Sequence, residues 1–186
     1  RDLRMSRGLG DVYKRQDQMM ADIASMGGEL FVMDDGWFGD KYPRKNDSSS
    51  LGDWVVDKNK LPNGIEGLLS DAKKHGVKFG IWIEPEMANT TSELYEKHPD
   101  WVLKASERDV VLGRGGTQVV LDLANPAVQD FVFGVVDNLM TSYPEIDYIK
   151  WDANMSVQNH GSQYLTKDNQ SHMYIESVSY THLRAH

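Results

Sequence analysis

Apolar residues recur along this chain in two rhythms. Between Asp17 and Met26 they fall at Met19, Met20, Ile23 and Met26, a helical spacing that Gly27 and Gly28 stop. Leu30 to Met33 is a short, wholly apolar run, the pattern of a strand covered on both faces. Residues 39–60 are polar and rich in Asp, Ser and Lys, and are expected as a long loop. Helical spacing returns at Ile65, Leu68, Leu69 and Ala72, preceded by Pro62 and closed by Gly76. Phe79 to Ile83 reads as a second buried strand, Ser92 to His98 as a short helix stopped by Pro99, and Gln118 to Leu121 as a small strand. Asn125 and Pro126 form a cap-and-first-turn pair opening a helix with Val128, Phe131, Val132, Val135 and Leu139 on one stripe. Asp147 to Trp151 is the last strand.

This alternation predicts an α/β fold with parallel strands joined by helical crossovers. Doubly wound sheets and (β/α)8 barrels both fit. The barrel is favoured because each main strand ends in polar residues: Asp34 with Asp35, Glu84 with Glu86, and Asp152 with Asn154. In such barrels the chemistry sits at the C-terminal ends of the strands. A dinucleotide-binding reading wants G-x-G-x-x-G between the first strand and a helix. Gly113 to Gly116 has neither that spacing nor that place.

Length and composition then narrow the classes. The 186 residues suit about one domain. No apolar run approaches the ~20 residues of a membrane-spanning helix, so no membrane partner is expected. With no cysteine, thiolate nucleophiles and Cys-based zinc sites are excluded, and the compartment stays open. A net charge of -8 argues against a nucleic-acid backbone as partner. Five Trp and eight Tyr beside 28 acids are the materials of a sugar site.

The two ends differ from the rest. Residues 1–16 and 178–186 hold Arg1, Arg4, Arg7, Lys14, Arg15 and Arg184 against only Asp2 and Asp11; the remainder has 14 bases and 26 acids. Asp11 to Gln16 can be encoded by GATGTGTATAAGAGACAG, whose reverse complement, in a shifted frame, reads into Val178 to Leu183. One oligonucleotide in two orientations explains both ends. Residues 1–16 and 178–186 are therefore expected to be non-native, adapter-derived tails around a gene fragment at 17–177.

The strongest chemical segment is YIKWDAN, Tyr148 to Asn154. With period two, Lys150, Asp152 and Asn154 project to one side. A cation two residues from a carboxylate lowers its pKa, and an ionised carboxylate is what a glycosidase nucleophile requires. The same spacing equally describes a structural ion pair at a strand end. In DDGWF, Asp34 to Phe38, both acids face a ligand only if the strand stops there, which Gly36 eases. They would then accept from neighbouring hydroxyls while Trp37 covers a C–H face of a sugar; an ordinary Asp-Gly turn is the alternative. In IWIEPEM, Ile81 to Met87, Trp82 and Glu84 share a parity and can line one mouth, unless Trp82 simply fills the core. Arg114 stands in a Gly-rich turn within reach of a hydroxyl or an acid. His75, His98, His160 and His172 show no ligand spacing, and the His182 and His186 pair falls in the expected tail. No metal site and no cofactor are expected.

Together and in this order, DDGWF, IWIEPEM and YIKWDAN resemble the melibiase-like α-galactosidases, the family that also contains the raffinose synthases, over about residues 17 to 165. The resemblance implies a partial TIM (β/α)8 barrel, strands about 2 to 4 with their crossover helices, and a retaining glycoside hydrolase. It implies Asp152 as nucleophile and Asp34 and Asp35 on the 4- and 6-hydroxyls of galactose. It also implies Trp82 packed on the sugar, and Arg114, Lys150 and Asn154 donating to substrate or nucleophile. Its substrates would be α-galactoside oligosaccharides of the melibiose and raffinose type, with a homo-oligomeric parent left open. The family's general acid/base is an Asp on a later strand. Asp168 and Glu176 lack a strand-end setting here, and Glu84 and Glu86 read as supporting or substrate contacts, so the isolated chain is expected to be inactive. A transferase of raffinose-synthase type is one rival. A metal-dependent barrel using Asp34, Asp35 and Asp152 is another, against which the Lys150 cation would compete.

Overall fold

The computed structural model describes residues 10–105, 107–158 and 161–166. In chain order its elements are α1 (Gly10–Ser25), β1 (Leu30–Met33), α2 (Gly64–His75), β2 (Lys78–Ile83), β3 (Met87–Asn89), α3 (Glu93–Lys97), a 3-10 turn (Pro99–Trp101), β4 (Gln118–Val120), α4 (Pro126–Ser142) and β5 (Tyr148–Trp151). No helix among the described residues is long and apolar enough to cross a membrane.

The expected helices form for the expected reasons. In α2, Ile65, Leu68 and Ala72 are buried, and the large side chains of Ile65 and Leu68 each contribute about 1.5–3 kcal/mol on leaving water. The helix ends where Gly76 takes φ 69°, a left-handed conformation in which a side chain would be strained. Ser92 caps α3 by accepting from the Tyr95 N–H at 3.0 Å. Asn125 caps α4 by accepting from Ala127 at 3.0 Å, with Pro126 in the first turn. The α4 stripe buries Val128, Val132, Val135 and Leu139, with Phe131 half-buried. One helix boundary differs: α1 begins at Gly10, not at Asp17.

β1, β2 and β5 form one parallel sheet in the order β1-β2-β5, with Met33 opposite Ile81 and Ile83 opposite Trp151. The three strands stand in the sheet in their chain order, and β3 and β4, which intervene between β2 and β5 in sequence, form a separate pair. The central strand is buried from Phe79 to Ile83. Gly80 eases the close approach of the next strand, because a Cβ would lie a tight 3.0 Å from the Tyr148 carbonyl oxygen. β1 is less covered than its apolar run predicted: Leu30 is exposed and only Phe31 is buried, since β1 forms an edge of the sheet as described.

The small strand at Gln118 is present but does not join the parallel sheet. β4 pairs antiparallel with β3, an element with no sequence signature, in register Met87 with Val120 and Asn89 with Gln118. A three-residue strand is too short to carry a periodicity, so nothing in the pattern indicated its partner or direction.

Asn89 locks this second sheet to the polar loop. It is fully buried and satisfies all four hydrogen-bonding positions of its amide. Its Oδ1 accepts from Leu51 N and Arg44 Nη1, both at 2.9 Å, and its Nδ2 donates to the carbonyls of Asp47 (2.8 Å) and Thr117 (3.0 Å). Asn89→Ala removes four hydrogen bonds at once and leaves the buried Leu51 N–H without its partner. It is expected to lower unfolding free energy by about 3 kcal/mol or more, and a loss below about 1 kcal/mol in urea titration would contradict this role.

Candidate active site

The parallel register brings the strand-end acids to one rim. Asp34 and Asp35 follow β1, Glu84 follows β2 and Asp152 follows β5. They line a cavity of about 190 Å3 together with Trp82, Arg114, Asn154, Arg44, Asp47 and Gln118. A larger, mainly apolar groove of about 730 Å3 runs past Trp54, Leu94 and Phe131 and contains none of the strand-end acids.

Asp152 is held by donors on both oxygens. Trp82 Nε1 donates to Oδ2 at 2.9 Å, and the Ala153 N–H donates to Oδ1 at 3.0 Å. The Trp82 hydrogen bond is the main reason its pKa lies below the ordinary Asp value; it outweighs the opposing effect of burial, and the Asn154 side chain, the Ala153 N–H and the Lys150 charge act in the same direction.

Lys150 therefore acts differently from the expectation. Its ammonium contacts Asp34 Oδ2 at 2.9 Å, and its influence on Asp152 is the weakest of those favouring the ion. The reason is strand geometry. Residues two apart on one strand are roughly 6.6 Å apart, whereas neighbouring strands are about 4.8 Å apart. A donor on β2 reaches Asp152 more readily than its neighbour along β5. Burial pushes the Asp34 carboxyl up, but the Lys150 hydrogen bond and the Asp35 N–H (2.8 Å) hold it below its usual value. The same pair raises Lys150.

Asp35 is clamped by a residue the sequence pattern did not reveal. Arg44 Nε and Nη2 donate to its two oxygens at 2.7 and 2.6 Å, a bidentate pair. The guanidinium is buried, with Nη1 bonded to Ser49 O and Asn89 Oδ1. Arg44 lies in the aperiodic loop at 39–60, where no spacing distinguishes it from a solvated base. Asp34 and Asp35 both reach the cavity because β1 stops at Met33 and Gly36 turns the chain with φ 103°.

Trp37 is a correction. It is 1% exposed, packed against Phe38 and Trp54, and absent from the acidic cavity, so it offers no face to a sugar there. Its Nε1 instead donates to the Trp82 carbonyl at 2.9 Å and fixes the backbone of the residue that contacts Asp152. Trp82 is itself buried and stacked on Phe38, presenting its N–H edge to the cavity.

Glu84 is 1% exposed and accepts from the Asn154 N–H. Burial pushes its pKa up, against the pull of Asn154. Glu86 accepts from Trp151 Nε1 at 3.0 Å and does not line the cavity. Arg114 does line it, at φ 47°, with Nη1 on Asp47 Oδ2 at 3.0 Å across the mouth. Among the described residues no three His, Cys, Asp or Glu are grouped to hold a metal ion. His75 contacts Asp17 and His98 stacks on Trp101; His160, His172, His182 and His186 lie outside the described residues.

An ionised carboxylate beside paired acceptors and cationic donors suits a ligand carrying many hydroxyls. Trp82→Phe deletes the principal donor to Asp152 while keeping an aromatic ring. The Asp152 pKa is expected to rise, followed by carboxyl-carbon NMR titration, so that the group protonates at a higher pH as the solution is acidified. An unchanged titration would refute the indole as the cause.

Comparison with known proteins agrees with this geometry. The family model described as Melibiase matches residues 11–183. The chain is 45% identical over 147 residues to a probable alpha-galactosidase C of Aspergillus flavus, covering 75% of this chain and 19% of that protein. It is 44% identical over 155 residues to the alpha-galactosidase AgaA of Geobacillus stearothermophilus, covering 82% and 20%. The crystal structure of GH36 AgaA superposes with a TM-score of 0.84 at 38% identity, over 93% of this chain and 24% of that one. Variants of AgaA have been crystallised with raffinose and with stachyose. The alpha-galactosidase of Lactobacillus brevis superposes with a TM-score of 0.83 at 39% identity, over 92% and 23%. The chain thus spans about a fifth of the length of its sequence relatives. With three strand-end motifs around one cavity, a family match over nearly its whole length and an α/β arrangement related to TIM-barrel catalytic domains, the chain belongs to the Melibiase family.

Proposed function

We propose that this chain is the central part of a retaining α-galactosidase barrel, supplying strands 2 to 4 with their crossover helices, and that Asp152 is the nucleophile. One observation carries the reading: a strand-end carboxylate whose ionised form the Trp82 N–H favours, inside a cavity walled by charged hydrogen-bonding groups. A glycosyl nucleophile has to be ionised before it can bond to the anomeric carbon. The names of the relatives support galactose as the sugar, and the raffinose and stachyose complexes of AgaA support α-galactoside oligosaccharides as the substrate class.

On this reading Asp34 and Asp35 accept from the 4- and 6-hydroxyls. Each keeps free lone pairs after bonding to Lys150 or Arg44, so the cations orient the acids without consuming them. Trp82 packs beside the ring, and Arg114, Lys150 and Asn154 donate to substrate or nucleophile. An Asp152 oxygen bonds to the anomeric carbon as the glycosidic bond breaks, and a general acid protonates the departing oxygen. Water, deprotonated by that same acid's conjugate base, then displaces Asp152 and releases galactose with retained configuration. The acid/base is assigned to a later strand, outside the described residues. Glu84, the most buried carboxyl of the cavity, is engaged by the Asn154 N–H. Residues 1–16 and 178–186 are read as non-native, and the parent as extending beyond them.

In the uninterrupted parent, a 2-fluoro-galactosyl inhibitor is expected to label the peptide containing Asp152, as read by mass spectrometry after digestion. A label on a peptide without it would overturn the assignment. Asp152→Asn is expected to lower kcat on the order of 10⁴-fold. The 186-residue chain alone is expected to show no turnover of a nitrophenyl α-galactoside; clear activity would show that the acid/base is already present.

A further inference from the structure

Gln118 opens β4 and is 1% exposed, yet its Oε1 has no hydrogen-bond partner. A buried unpaired amide oxygen is unfavourable, and folded proteins seldom retain one without a use. Four other buried side-chain atoms among the described residues share that state, on Gln16, Ser50, Trp54 and Asp71. Gln118 alone of the five residues lines the cavity that holds Asp34, Asp35 and Asp152.

Its backbone leaves little freedom for a different role. The Gln118 N–H donates to Gly113 O at 3.1 Å and its carbonyl accepts from Gly113 N at 2.8 Å, closing the turn that carries Arg114. Asn89, its partner across the strand pair, is already saturated by Arg44, Leu51, Asp47 and Thr117, so it has no position left for the Gln118 amide. The nearby charged walls are likewise engaged, Arg44 by Asp35 and Arg114 by Asp47. The protein surroundings therefore leave the acceptor without a partner, on a residue that lines the cavity.

We infer that Gln118 is a sugar-binding residue, its Oε1 accepting a hydrogen bond from a ring hydroxyl of the bound hexose. This rests on the proposal that the cavity takes galactose, and adds to it a neutral acceptor beside the carboxylates. A neutral amide contributes differently from Asp34 and Asp35: it selects for a hydroxyl at one ring position without adding charge beside the nucleophile. Such a contact discriminates chiefly through the group left unpaired when the hydroxyl is missing.

The test uses the 186-residue chain and Gln118→Met, which keeps the length of the side chain and removes the amide. Thermal unfolding without sugar comes first, because it is independent of any ligand. An amide with no partner predicts an unchanged or raised Tm in the variant, whereas a markedly lowered Tm would reveal a structural hydrogen bond and overturn the inference. Galactose binding is then followed by ligand-observed NMR, with a series of monodeoxy-galactoses. The wild type is expected to bind galactose about tenfold more tightly than the variant, with that difference vanishing for one deoxy sugar. Equal galactose affinity in the two proteins would overturn the role of Gln118 while leaving the galactose site standing. No galactose binding by the wild type would remove both.

Discussion

The N–H of Trp82 crosses from the central strand to Asp152, and that 2.9 Å contact is the main influence holding the carboxyl below the ordinary Asp range. A carboxylate at a half-exposed strand end would titrate ordinarily. A donor fixed against it favours the ion and also sets the direction in which its oxygens face. The contact is itself supported from behind, since Trp37 donates to the Trp82 carbonyl and Phe38 stacks on its ring. Buried aromatics that look like core filling thus hold the nucleophilic candidate in position, and the apolar core and the polar site are continuous.

A similar logic governs the acids after β1. Asp34 and Asp35 are adjacent, and two neighbouring carboxylates in a small cavity would repel each other if both faced it without cations. Lys150 and Arg44 resolve this from opposite directions, one from β5 and one from the loop at 39–60. Arg44 is held in turn by Asn89, which also secures Leu51, Asp47 and Thr117. The small antiparallel pair β3 and β4 therefore serves as a bracket: it fixes the loop whose arginine orients Asp35, and it places Gln118 and Arg114 at the cavity.

The placement of these groups suits polyhydroxyl recognition. Acceptors already bonded to cations retain lone pairs for hydroxyl donors, and their orientations are fixed before a ligand arrives. Such preorganisation reduces what must be ordered on binding. Solvent exposure also differs usefully within the cavity, with Glu84 buried beside Asn154 and Arg114 with Asp47 at the open mouth.

Local pattern alone was sufficient for the elements that repeat a period over several turns or fill a strand. The stripes of α2 and α4, the cap at Asn125, the stop at Gly76 and the buried run of β2 were all legible, because propensity, capping and burial act over a few adjacent residues. The strand-end positions of Asp34, Glu84 and Asp152 were legible for the same reason. Tertiary structure decided the partners. It paired Lys150 with Asp34 rather than with Asp152, turned Trp37 away from the cavity, made Arg44 a clamp and set β4 against β3. Parity along a strand names the face a side chain takes, but the neighbour it meets lies on another strand or loop, at a distance fixed only when the sheet and its crossovers assemble.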